Sequence, residues 1–118
     1  NPEVLCYEQS HFRGGHATEL GVGFTTRVME VAACNQIEYR AVHSATLKAY
    51  FAAHGRASKY AMQLSAAEFC AEYKSEWERD QDCYDIGGDI ADSLGLLSYT
   101  EAGFPAVRRP KPVRKPRK

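Results

Sequence analysis

The 118-residue chain has no apolar run long enough to cross a bilayer, no Asn-x-Ser/Thr sequon and no Cys-x-x-Cys. These absences exclude a membrane-spanning helix and N-glycosylation, and they disfavour the commonest zinc and redox motifs. Ser44 follows His43 without the glycines of a nucleophile elbow, and no Pro-x-x-Pro is present for SH3 recognition. Proline is nearly missing from the first hundred residues: Pro2 stands alone, and the other four fall between Pro105 and Pro116. Acidic residues are missing from the last eleven positions, Arg108 to Lys118.

What is present is ordinary globular composition, with 44% hydrophobic residues and a formal net charge of zero. That length suits one domain with a modest core. The zero conceals a segregation. Arg108, Arg109, Lys111, Arg114, Lys115, Arg117 and Lys118 put seven cations at the end, while residues 1–107 carry eight basic and fifteen acidic side chains, a net of about −7. Nine of those acids lie between Glu68 and Asp92. The four cysteines, Cys6, Cys34, Cys70 and Cys83, are even in number and favour disulfides in an oxidising compartment over a zinc site. A start at Asn1-Pro2 fits a processed product, so the expectation is a secreted protein.

The clearest local signal is Val4 to Leu20. Val4, Cys6 and Glu8 alternate with Leu5 and Tyr7, Arg13-Gly14-Gly15 interrupts, and Ala17 to Leu20 resumes, which predicts a β-hairpin with glycines at its bend. Ala49 to Leu64 repeats this stretch loosely at a period of about 44 residues. Between the two, Gly21 to Thr26 reads as a loop, Arg27 to Ala33 as either helix or strand, and Cys34 to Tyr39 as a strand. Ser65 to Arg79 reads as a helix: Ser65 and Glu68 form a capping box, and Phe69, Tyr73 and Trp77 recur on one face.

Tyr7-Glu8-Gln9-Ser10-His11-Phe12-Arg13-Gly14 resembles the aromatic, Glu, three residues, aromatic, x, Gly signature that opens a βγ-crystallin Greek key. Cys34-Asn35-Gln36-Ile37 looks like the closing strand of that key, and Ala91-Asp92-Ser93-Leu94 like the closing strand of a second. The resemblance spans roughly residues 4–100. It implies a mostly β, two-Greek-key sandwich over 1–104 with one inserted helix at about 66–79, followed by a basic Pro-rich tail over 105–118. If Arg27 to Ala41 is helical as well, the class is α+β instead. A bridge from Cys6 to Cys34 and one from Cys70 to Cys83 would suit the sandwich, although four cysteines allow three connectivities. The family's calcium sites need hard oxygen donors that Val31, Ala32, Gly95 and Leu96 do not supply here, which leaves Asp85, Asp89 and Asp92 as loose calcium candidates and no tight cofactor.

No active site stands out. His11, His16, His43 and His54 match no metal spacing, and the acids between Glu68 and Asp92 read as a solvated face, so no enzymatic activity is expected. The tail carries the functional expectation. Its prolines favour an extended chain with cations projecting around it, suited to cell-wall polysaccharide, membrane headgroups or nucleic acid. It could also associate with the acidic Glu68–Asp92 region of its own or a neighbouring molecule. Taken with the resemblance, this suggests a secreted, non-enzymatic toxin, effector or antimicrobial protein. The alternatives are a protease inhibitor presenting Gly21 to Thr26, or a structural subunit with its tail on RNA or a neighbouring chain.

Overall fold

A computed structural model describes residues 3–9 and 15–107, with side chains from residue 19 onward in the second segment. Strand β1, Val4–Glu8, leads through helix α1, Gly15–Cys34, to strand β2, Glu38–Val42. Four helices follow: α2 Ser44–Phe51, α3 Lys59–Phe69, α4 Ala71–Arg79 and α5 Asp89–Glu101. β1 and β2 pair in parallel, with Val4 opposite Glu38 and Glu8 opposite Val42. A parallel pair needs a long crossover, and α1 supplies it.

The alternation in β1 sorts the sheet into two faces. Cys6 and Val42 point to a core formed with Leu47, Met62, Ala66, Tyr73, Trp77, Ala91 and Tyr99. Tyr7 and Ala41 face the other way and line a cleft of about 300 Å³ with Val22, Thr25 and Met29 of α1. The sheet is therefore a thin middle layer, with α1 on one side and the remaining helices on the other.

This architecture overturns the mostly β expectation. The described residues hold five helices and two short strands, a helix-rich α+β arrangement with no Greek key. Only the first arm of the predicted hairpin is a strand; Gly15 to Leu20 opens α1. Gly21 to Thr26 lies in the middle of that helix, so there is no loop to present to a protease. The strand expected over Cys34 to Tyr39 begins at Glu38, because Asn35 to Ile37 first close α1. Gln36 takes a left-handed φ of 56°, and the Ile37 amide donates to the Ala32 carbonyl at 2.9 Å. Ala49 to Leu64 runs from α2 through a turn into α3, and Ala91 to Leu94 belongs to α5.

The helix expected at about 66–79 is real but divided. Ser65 is internal to α3, whose cap is Ser58: its Oγ accepts from the Ala61 amide at 3.1 Å. Cys70, with φ −131° and ψ 115°, is a single extended residue between α3 and α4. Tyr73 and Trp77 are buried as their spacing predicted, whereas Phe69 falls on the other helix and is 42% exposed.

α5 crosses α2 at Gly95. A Cβ there would lie 3.1 Å from Phe51 Cδ2 and 3.2 Å from Leu47 Cδ1. Glycine costs a helix interior about 1 kcal/mol relative to alanine, so this contact must outweigh propensity. Gly95→Ala is accordingly expected to destabilise the protein by about 1–2 kcal/mol despite the better helix former, read as a lower urea midpoint at unchanged slope.

Candidate functional site

The carboxyl ends of the two strands and the two ends of α5 gather most of the charged chemistry. At the N-terminal end of α5, Gly88 is left-handed at φ 74° and has no side chain to cap the helix. Asp85 reaches over it. Its Oδ1 accepts from the Ile90 amide at 2.9 Å, and its Oδ2 accepts from the Ala91 amide at 3.0 Å and the Tyr73 hydroxyl at 2.8 Å. Its carbonyl accepts from Gln63 Nε2 at 2.8 Å and from the Gly88 amide at 2.9 Å. Asp85 adopts φ 56°, a left-handed geometry that aspartate tolerates better than most residues. Burial, with the carboxylate it donates to, pushes the Tyr73 hydroxyl far above the usual phenol range.

One turn further on, Asp92 is half-buried where α5 packs on β1. Burial raises its pKa from 3.8 to about 6, the Glu8 carboxylate at the end of β1 adds to the rise, and Lys48 on α2 opposes it. Asp89 and Asp85 contribute further in the same direction as Glu8. Asp92 thus holds a proton more readily than an ordinary carboxyl, with a carboxylate and an ammonium for neighbours.

The other end of α5, which closes on the exposed Glu101, lies beside Arg40 of β2. Gly103, at φ 80°, closes the helix, and the Phe104 amide donates to the Tyr99 carbonyl at 3.1 Å. Phe104 packs edge-on to Tyr99 and lies beneath the Arg40 guanidinium, 4.3 Å from its centroid. Glu38 steadies the same guanidinium at 3.6 Å. Arg40, His43, Thr46, Tyr99 and Phe104 line a cleft of about 270 Å³. The Tyr99 hydroxyl donates to the Pro105 carbonyl at 3.0 Å, and Val107 packs against the core, so the chain leaves the described body beside this cleft.

The residues singled out in the sequence fare differently. Asp85, Asp89 and Asp92 share one region, but Asp85 directs both oxygens at protein donors, and no three metal-ligating groups converge among the described residues. The four cysteines are free. Cys6 faces the core, while Cys34 ends the helix that covers the opposite face of the sheet. Cys70 stands at the start of α4, and Cys83 lies in the turn past its end, where its amide donates to the Asp80 carbonyl at 3.4 Å. The expected bridges, Cys6 to Cys34 and Cys70 to Cys83, are absent, and the argument for an oxidising compartment loses its basis. The Asp80 carboxylate pushes the Cys83 thiol up, which makes it a poor thiolate.

His43 and His54 serve the backbone, their Nδ1 atoms accepting from the Ala45 amide at 3.1 Å and the Arg56 amide at 3.0 Å. His11, the His16 side chain and Arg108, Arg109, Lys111, Arg114, Lys115, Arg117 and Lys118 lie outside the described residues. Arg40, Glu8 and Lys48 were not anticipated. Glu8 had left a signal, an acid in phase with the inward-facing Val4 and Cys6. No known family, no curated protein and no solved structure matches the chain, and the βγ-crystallin resemblance rests on its quoted residues alone, without the strands that fold requires.

Two outcomes test this region. Asp85→Ala removes the acceptor of two helix amides and of a buried hydroxyl, and should lower stability by about 2–3 kcal/mol in denaturant unfolding. For Asp92 the folded pKa is raised, so its ionisation opposes folding. The penalty is absent below about pH 3.8, grows as pH rises, and is complete above about pH 6. Solvent screening of a half-buried group limits it to about 1 kcal/mol. Asp92→Asn should match the wild type near pH 3.8 and exceed its stability above pH 6, as thermal melts across that range will show.

Proposed function

We propose that this chain is a non-enzymatic binding protein whose cationic tail, Arg108 to Lys118, engages an anionic polymer or surface. The observation that carries the reading is the place where the tail begins. It leaves the body at Val107, next to the cleft where Arg40 is fixed over Phe104. The seven cations that follow Val107 in the sequence are thereby joined to the body at a point near the Arg40 guanidinium.

Charge placement elsewhere supports the same reading. Glu72, Glu78, Asp80 and Asp82 are exposed on α4 and the loop after it. Tyr73 of α4 meets Asp85 at the N-terminal end of α5, so this acidic surface adjoins the end of α5 opposite the Gly103 turn that leads towards the tail. An anionic partner would be repelled at one end of the molecule and attracted at the other, which orients its approach. A bound chain that neutralises the tail cations releases counterions, making affinity steeply dependent on salt.

The test is titration of the full chain and of a variant ending at Val107 against a sulfated polysaccharide, anionic vesicles and single-stranded DNA. Ending at Val107 keeps that residue's packing intact. The full chain should bind at least one ligand, losing on the order of a thousandfold in affinity between low and physiological salt. The truncated variant should not bind, and Arg40→Ala should weaken binding severalfold. Equal binding by the full and truncated chains would refute the assignment to the tail.

A further inference from the structure

α1 carries two stripes of the same cadence. Gly21, Thr25, Val28 and Ala32 turn towards the sheet, and Ala32 is fully buried. Leu20, Phe24, Arg27 and Val31, rotated by about 100°, turn to solvent. Leu20 is 62% exposed, Phe24 71% and Val31 54%, and the Arg27 side chain is 79% exposed. Three large apolar residues at i, i+4 and i+11 of one helix are a seam rather than scattered exposure. With Glu19 and Gly23 alongside, the first three residues of the stripe line an open groove of about 670 Å³.

We infer that this stripe is the contact between two copies of the chain, with α1 packed antiparallel against α1 of the second copy. The pattern is self-complementary in one direction only. Reversed upon itself, the stripe sets Leu20 against Val31 of the other helix and lays each Arg27 guanidinium on the opposing Phe24 ring. Parallel pairing would instead bring Arg27 against Arg27, a repulsion that selects the antiparallel arrangement. A guanidinium on an aromatic face stabilises by about 0.5–2 kcal/mol, depending on desolvation. Arg40 on Phe104 is the same pairing within the monomer.

Two further features fit a second helix here. Nothing lies within 4 Å of where a Cβ on Gly23 would sit, so a neighbouring backbone can approach closely beside Phe24. Arg27 pairs with Glu30 at 3.1 Å, but both side chains are exposed, and such a pair resists rearrangement by only about 0.5 kcal/mol. The chain's own tail is a poor occupant: Arg108 to Lys118 offers Val113 as its single large apolar side chain and would bring seven cations to Arg27. A three-turn seam falls short of the roughly 1,200–2,000 Å² of stable interfaces, so the dimer should form in the micromolar range.

Sedimentation velocity of the full chain over a concentration series tests the inference. The wild type should pass from monomer to dimer as concentration rises. Phe24→Lys sets a cation against Arg27 and should remain monomeric throughout, with an unchanged far-UV spectrum because Phe24 is exposed. Combining Phe24→Lys with Arg27→Glu places the new lysine against the new glutamate of the other copy and should restore the dimer. Leu20→Lys, on the same stripe, provides a second disrupting variant should Phe24→Lys fold poorly. A wild type that stays monomeric, a Phe24→Lys variant that still dimerises, or a double variant that does not recover would each overturn the inference.

Discussion

The fold depends on one loop residue. Asp85 receives five hydrogen bonds, from Gln63 of α3, Tyr73 of α4, the Gly88 amide and the first turn of α5. Three helices that pack mainly through alanine and aromatic surfaces would otherwise have little to fix their relative rotation. A left-handed aspartate at this point sets where α5 starts. The start of α5 then determines that Gly95 meets Leu47 and Phe51 and that Tyr99 meets Phe104. Among the described residues no buried side-chain nitrogen or oxygen lacks a partner, and the Asp85 cluster accounts for Gln63, the one buried polar residue of the core.

The same helix gathers three acids at one end and reaches Arg40 with the other. Its N-terminal end gathers Asp85, Asp89 and Asp92, and its C-terminal end lies beside Arg40 and the exit of the basic tail. The acids at the amide end follow the helix dipole, whereas the last turn carries no base of its own and ends on the exposed Glu101, so Arg40 of β2 is the cation nearest that end. Crowding at the amide end has a cost, seen in the raised pKa of Asp92, where burial and Glu8 act against the favourable dipole. The Arg40 cleft at one end and the carboxylate cluster at the other are therefore consequences of one helix placement.

The legible parts of the sequence were those in which a single strong pattern had no rival. The alternation of Val4 to Glu8 is a strand, and the four-residue spacing of Tyr73 and Trp77 buries both on α4. α1 was illegible because its inward stripe is written in Gly21, Thr25, Val28 and Ala32, residues too small or too polar to register as an apolar period. The glycines at its start resembled a hairpin bend, Ala17 to Leu20 resembled the returning strand, and Gly21 to Thr26 resembled a loop. The break at Cys70 has no glycine or proline to announce it. At the site, the acids of Glu68 to Asp92 read as uniform solvated charge, because burial of one carboxylate depends on β1, some eighty residues earlier. Arg40 was obscured in the same way, since Phe104 reaches it only through the turn that Gly103 makes.

The weak inward stripe of α1 also bears on how the molecule holds together. Ala32 is the one fully buried side chain described along this helix, and the other described residues of α1 are half-buried or exposed. Elements with little buried apolar area open at low free energy. If the outward stripe pairs with a second copy, association buries Leu20, Phe24 and Val31 only while α1 is formed, and dimerisation then stabilises the helix by mass action. The crossover and β2 that follows it would be firmer in the dimer than in the monomer. Because β2 carries Arg40 to the cleft beside the tail, self-association and anion binding would favour the same ordered state, although the two surfaces share no residue.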